Sequence, residues 1–238
     1  LKSYFENDNE ITAQQYIEVI GIEHIDKIDY EEKFGEEELE RFKELSNDYK
    51  KGLNRLSNCL YYKHSNDIIA KQFCTLQLFS GFKCPEFGRQ GMHLLLFGDP
   101  GTGKTQNFMW KTRDVHHRTI TVSSNNNTSA GLGVSSAKND FVGKHIAELG
   151  AVPRANKGIL CIDELNDIPK ELFGSIIEAM ESGIVTSQKT GARGSYPADV
   201  RVIATANPTT DDNHFDPNLS LYEQPVGLVG KFLDRFDF

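Results

Sequence analysis

The chain has 238 residues, enough for one large core or for a core with a smaller appendage. With 38% hydrophobic and 25% charged residues it has the balance of an ordinary soluble globular protein; it lacks any run of about 18 apolar residues, so neither a membrane span nor a membrane partner is expected. A formal net charge of −8 argues against nucleic-acid binding through a global positive field and leaves room only for a local basic loop.

The first residue is Leu1 and the last four are Arg235-Phe236-Asp237-Phe238, which suggests a piece of a longer protein, so no targeting signal is read from the ends. Cys59, Cys74, Cys84 and Cys161 show no C-x-x-C spacing. That points to buried or free thiols in a reducing compartment, and to neither a zinc site nor a disulfide framework.

From Tyr16 to Ile25 apolar and polar residues partly alternate, as in a half-buried strand closing an upstream β-rich domain over residues 1–29. Tyr30 to Lys51 is acidic, with Phe34, Leu39, Phe42 and Leu45 at helical spacing, and reads as a linker and a solvated amphipathic helix within 30–58. Residues 59–238 form the main core. In it, Leu60-Tyr61-Tyr62-Lys63-His64 is an aromatic stretch whose Tyr61, Tyr62 or His64 either packs in the core or borders a base. Asn66 to Phe82 follows a helical pattern closed by Gly81.

Leu94-Leu95-Leu96-Phe97 then reads as a buried strand running into Gly98-Asp99-Pro100-Gly101-Thr102-Gly103-Lys104-Thr105, which has the spacing of a phosphate-binding P-loop. Glycines let backbone N–H groups turn around phosphate oxygens. Lys104 adds a point charge for the β- and γ-phosphates, and the Thr105 hydroxyl suits Mg²⁺. Gln106 to Lys111 start a helix whose N-terminus favours the anion, so residues 99–106 are the expected ATP contacts.

Thr119-Ile120-Thr121-Val122 is a β-branched strand, and Ser123 to Ser136, rich in Asn, Ser and Gly, is expected to be largely loop. Gly158 to Glu164 is a strand ending in two carboxylates, the Walker B pattern. Asp163 would hold Mg²⁺ opposite Thr105, and Glu164 would polarise the attacking water. Leu172 to Glu181 is a helix, and Ile184 to Gln188 a strand that meets the turn Lys189-Thr190-Gly191-Ala192-Arg193-Gly194 with its two cations. Val200 to Ala206 is a buried strand ending at Asn207, which either orients the attacking water or simply turns the chain before Pro208.

The order of these blocks resembles the minichromosome maintenance (MCM) branch of the AAA+ ATPases, the hexameric replicative helicases. The matching residues are the P-loop, Thr128-Ser129-Ala130-Gly131-Leu132, Leu149-Gly150-Ala151-Val152 and Cys161-Ile162-Asp163-Glu164. Glu178-Ala179-Met180-Glu181, Ala204-Thr205-Ala206-Asn207-Pro208 and Leu233-Asp234-Arg235-Phe236-Asp237 complete the set. Gly103, Gly133-Val134 and Asn166 look most like the branch that acts in recombination repair.

The resemblance implies an α/β fold, a P-loop AAA+ core with a parallel sheet flanked by helices and a β-hairpin insertion before sensor 1, truncated before sensor 2 and the lid. By it, Lys104, Thr105, Asp163, Glu164 and Asn207 are Walker A, Walker B and sensor 1. Arg235 is an arginine finger acting on the neighbouring subunit. Lys189 is the hairpin tip that grips single-stranded or forked DNA, and residues around Val134 to Lys144 are a second insertion. Also implied are ATP and Mg²⁺, a hexameric ring of identical or paralogous subunits, and a nuclear location for a eukaryotic source, cytoplasmic otherwise. Two departures from the family pattern, Leu165-Asn166 after the acids and Ser182-Gly183 before the hairpin, bear on the allosteric wiring and leave the hydrolytic residues intact. The alternatives are a chelatase-like ATPase using the same hairpin on a protein partner and, left open by Leu165-Asn166, a non-hydrolysing ring subunit.

Overall fold

The structure, a computed structural model, describes residues 2–6, 12–16, 35–65, 67–81, 91–123, 129–139, 144–211, 214–220, 223–228 and 230–237. The chain divides into two compact units, Leu1–Asn47 and Asp48–Phe238.

In the first unit, strands β1 (Lys2–Glu6) and β2 (Thr12–Tyr16) pair antiparallel, with Lys2 opposite Tyr16 and Glu6 opposite Thr12. The strand expected from Tyr16 to Ile25 falls, beyond Tyr16, outside the described residues. Helix α1 (Glu36–Asn47) opens on Glu36, Glu37 and Glu38, where the positive end of the helix dipole favours carboxylates. Leu39 and Phe42 are exposed on it, as expected of a solvated helix.

The second unit begins with α2 (Tyr49–Leu60) and α3 (Ile68–Phe79). Asp48 and Asp67 cap them, accepting the N–H of Lys51 and of Ala70, both at 3.1 Å. Between the two helices Lys71 Nζ donates to Asn58 Oδ1 at 3.0 Å, which supplies a partner for a lysine buried to 4% exposure. The aromatic stretch after α2 resolves into different fates. Tyr61 is a core residue with its ring 5.3 Å from that of Phe108, whereas Tyr62 is exposed.

Next come β3 (Leu94–Phe97), a π-helical turn over Lys104–Met109, α4 (Trp110–Val115), β4 (Thr119–Ser123) and α5 (Ser129–Leu132). Strands β5 (Val134–Asn139) and β6 (Lys144–Leu149), then α6 (Ala151–Arg154), β7 (Ile159–Asp163) and α7 (Phe173–Ser182) follow. The chain continues through β8 (Ile184–Ser187), β9 (Gly194–Pro197), β10 (Arg201–Ala206) and α8 (Gly230–Leu233).

The central sheet is parallel throughout, in the order β3-β10-β7-β4. Side chains alternate across a strand, and here both faces are covered. Leu160, Ile162, Val202 and Ala204 pack with Phe173, Ile176 and Met180 of α7 on one side. Leu94, Ile159, Cys161 and Ile203 pack with Tyr61, Cys74 and Phe108 on the other. Truncating a residue such as Ile162, fully buried, to Ala would cost about 2–5 kcal/mol. This sheet flanked by helices is the α/β P-loop architecture that the resemblance implies. Among the described residues no helix is long and apolar enough to cross a membrane. Cys74 and Cys161 are buried free thiols, Cys59 is an exposed one, and Cys84 lies outside the described residues.

The loop expected from Ser123 to Ser136 needs correction. Residues 129–136 carry α5 and the start of β5, because Leu132 and Val134 are both buried and β5 pairs antiparallel with β6. Gly150 N–H closes this region on Gly133 O at 2.7 Å. The paired residues lie only 5 to 15 positions apart, yet the Asn- and Ser-rich composition hides the pairing. The hairpin expected before sensor 1 is present as β8 and β9, with Ser187 opposite Gly194. Its root is held by α7, where Glu178 accepts the Thr186 N–H at 3.0 Å and the Thr186 hydroxyl at 2.9 Å. The two hairpins meet where Ser136 Oγ donates to Thr190 O at 2.5 Å. Gly191, at φ 76°, lies so close to His145 that a Cβ there would sit 2.7 Å from the His145 carbonyl oxygen.

Candidate nucleotide-binding site

Strand β3 delivers the glycine loop to the carboxyl edge of the sheet, where open α/β folds gather their ligands. Gly98 N–H still bonds Ala206 O at 3.3 Å, so the loop departs from a fixed point beside β10. Gly101 and Gly103 adopt φ 75° and 82°, and at Gly103 a Cβ would come 2.4 Å from Asn107 Nδ2. Only glycine lets the backbone pass there. The helix that follows starts as a π turn, with Trp110 N–H reaching Thr105 O. N–H groups of its first turn have no acceptor inside the helix and are available to an anion.

Lys104 Nζ donates to Gly98 O at 2.6 Å and Asp99 O at 2.7 Å. Burial lowers its pKa from the ordinary lysine value, while the Asp99 and Asp163 carboxylates pull the other way. The side chain of Asp99 faces a different segment. Its Oδ1 accepts the Phe215 N–H at 2.8 Å and its Oδ2 lies 3.4 Å from His214 Nδ1. The Phe215 ring meets Phe97 edge-on at 5.1 Å. Thr102 donates to Asp99 O at 2.8 Å, and Pro100, Gly101 and Gln106 are exposed.

Two strands away, β7 ends in Asp163. The Thr105 hydroxyl donates to Asp163 Oδ1 at 2.8 Å, which brings together two groups separated by 58 positions in sequence. A second hydroxyl, that of Thr205 on β10, donates to the same oxygen at 2.6 Å and accepts the Glu164 N–H at 3.0 Å. Glu164 itself is left-handed, at φ 54°, a conformation that costs a residue with a Cβ about 1–2 kcal/mol. Asn207 follows β10, and its N–H donates to Asn166 Oδ1 at 3.3 Å. Lys104, Thr105, Asp163, Glu164 and Asn207 thus share one edge of the sheet.

Lys189 and Arg235 have other neighbourhoods. Lys189 is exposed in the turn between β8 and β9, where its N–H donates to Ser187 Oγ at 3.3 Å. Arg235 pairs with Glu181 of α7, beside Phe232, whose ring lies tilted against Phe173 with centroids 4.6 Å apart. Next to the glycine loop opens a cavity of about 770 Å³, lined among others by His64, Ala70, Phe73, Lys104, Phe108 and Phe215. Of the aromatic stretch, only His64 borders it. Sequence reasoning missed Phe215 and Thr205. One lies in an irregular segment, and the other reads as a β-branched strand residue.

The donor set suits magnesium. A hydroxyl and a carboxylate offer hard oxygen ligands, and Mg²⁺ is usually bound through one or two carboxylates plus substrate phosphates. Among the described residues no group of three or more His, Cys, Asp or Glu could hold a metal ion, so a cage made by the protein alone is absent there.

The family model of the MCM P-loop domain matches residues 38–238. A rice protein (Oryza sativa subsp. indica) named "Probable DNA helicase MCM8" is 33% identical over 175 residues, 71% of this chain and 22% of its own length. One from Arabidopsis thaliana named "Probable DNA helicase MCM9" is 35% identical over 61% of this chain and 21% of its own length. The "DNA replication licensing factor MCM4" of the same plant is 28% identical over 89% of the chain and 25% of its own length. The chain therefore spans about a fifth to a quarter of these relatives.

Proposed function

The chain belongs to the MCM family, and on that premise we propose that it is the ATP-hydrolysing motor part of a ring-forming DNA helicase subunit acting in replication or recombination repair. The observation that carries the proposal is the Thr105–Asp163 contact, since it brings a P-loop hydroxyl and a strand-end carboxylate within 2.8 Å beside Lys104. Relatives named MCM8 and MCM9, at 33% and 35% identity, stand beside MCM4 relatives at 28% and 32%, so both the repair and the replication branch stay within the proposal.

In this reading residues 99–106 hold ATP: N–H groups of the loop bind phosphate oxygens, and Lys104 turns from its two carbonyls to the β- and γ-phosphates. Thr105 and Asp163 would hold Mg²⁺, which when bound supplies positive charge against the phosphate oxygens. Glu164 takes the proton of the attacking water, and Asn207 orients that water from the neighbouring strand. Arg235 completes the site of an adjoining subunit, and until then its guanidinium pairs with Glu181 of α7. Lys189 contacts DNA phosphate, a contact without a sequence code. The ring is built of identical or paralogous subunits. Residues 1–29 end an upstream β-rich domain, 30–58 link it and 59–238 are the motor core. The eukaryotic sources of the relatives support a nuclear location.

The test is ATP turnover by the full-length protein with single-stranded DNA at rising salt. Stimulation that fades steeply with salt and disappears in Lys189→Ala is expected. Turnover indifferent to DNA and to Lys189→Ala would sink the helicase reading and favour a protein-remodelling ATPase. For the shared site, mixing Glu164→Gln with Arg235→Ala subunits is expected to restore activity that neither has alone, because some interfaces then keep both groups. No recovery, with assembly verified, counts against a finger acting between subunits.

A further inference from the structure

We infer that Thr205 is a positioning residue for both acids of the site: its single hydroxyl fixes the Asp163 carboxylate and the Glu164 backbone at once. The inference rests on the ATPase reading above and adds a residue to it. The parallel register, Ala204 beside Ile162, brings Thr205 alongside Asp163 at the end of the sheet. At 2% exposure the hydroxyl has no access to bulk water, and its hydrogen bonds are made to those two acids.

One proton decides the orientation. Donated to Asp163 Oδ1 at 2.6 Å, it leaves the Thr205 lone pairs to accept the Glu164 N–H at 3.0 Å, so neither bond can be reversed. Thr105 donates to the same Oδ1. Both hydroxyl bonds therefore converge on one oxygen, which sets the carboxylate rotamer and leaves the lone pairs of Oδ2 for a ligand. The second bond falls on the residue whose backbone is left-handed, and the direction in which the Glu164 side chain leaves the chain depends on that conformation. A buried β-branched residue needed only for packing would be served as well by valine, which has the same shape and no donor.

The experiment uses Thr205→Val and Thr205→Ser in the full-length protein, with Lys104→Ala alongside. We expect valine to lower kcat for ATP about tenfold to a hundredfold, the range for a misplaced catalytic group, with KM changed less than about threefold. Two readouts do not depend on turnover. In Thr205→Val the Mg²⁺ concentration for half-maximal binding of a fluorescent ATP analogue rises, and the Glu164 amide exchanges hydrogen faster. Serine restores all three. Wild-type kcat and wild-type Glu164 exchange in valine overturn the assignment, and so does a serine variant as impaired as valine. Should valine not fold, Thr205→Ser against Thr205→Ala decides in the same way. If Lys104→Ala turns over ATP as fast as wild type, the ATPase reading itself fails and takes this one with it. If turnover depends on Lys104 and valine matches wild type, only the role of Thr205 falls.

Discussion

Strand β10 carries a polar side chain near each end, Arg201 and Thr205, and the two ends are built differently. At the amino end Arg201 donates to the carbonyls of Leu78 and Ser80, both at 3.0 Å, and of Gln77 at 3.3 Å, and its NH2 lies 2.8 Å from His116 Nε2. Gln77 Nε2 returns bonds to Val202 O and Met92 O, and His93 Nδ1 accepts the Val202 N–H. These side chains tie the end of α3 to the sheet through backbone groups, whose positions are fixed once the chain has folded. At the carboxyl end two linking bonds run from side chain to side chain, Thr105 and Thr205 to Asp163, beside the backbone N–H groups of Glu164 and Asn207 that Thr205 and Asn166 accept. Side-chain partners can be exchanged for a ligand, so polarity alone does not mark a site; what matters is whether the partners can be given up.

Three substitutions would break or sharpen this contrast. Lys104→Ala should cut ATP turnover by about 10²–10³-fold, as loss of a charge aimed at the reacting phosphates does. Its urea midpoint should stay within error of wild type, because the ammonium's hydrogen bonds go to groups of its own loop, the carbonyls of Gly98 and Asp99 and the Thr102 hydroxyl. At the other end Arg201→Ala should do the reverse and remove roughly 2–3 kcal/mol of stability, read as a lower urea midpoint at unchanged slope. Nucleotide affinity of the folded fraction should hold. If Arg201→Ala weakened nucleotide binding without lowering stability, the two ends would not be separable.

The smallest effect belongs to His116. Burial first, then the Arg201 charge, pushes its pKa from the usual 6.5 down to about 4. Between these values the unfolded chain binds a proton that the folded one refuses. Its contribution is therefore complete above pH 6.5, declines as pH falls towards 4 and is constant below. His116→Asn should flatten that part of the plot of urea midpoint against pH, and an unchanged slope would mean that the ring titrates normally.

The site's spacing was legible because its chemistry is local. Gly98 to Thr105 carry their geometry within eight positions of sequence, and apolar runs before Asp163 and Asn207 mark the strands that deliver them. The pairing of β5 with β6 was not, since Ser135 and Ser136 look like loop until Leu132 and Val134 find the core. Thr205 escaped notice because a threonine in a strand is ordinary. Arg201 escaped too, as the carbonyls of Gln77, Leu78 and Ser80 that it binds lie more than 120 positions away. The carboxylate of Asp99, a residue among the expected ATP contacts, faces Phe215 and His214.

That last contact has a mechanical side. The chain leaving β10 is pinned at Asn207 by Asn166 and at Phe215 by Asp99 before it reaches α8. A tug on this stretch is felt by the glycine loop through a carboxylate, along a route that bypasses the sheet. The segment after β10 and the glycine loop are in that sense tethered, and neither can shift far without news of it reaching the other.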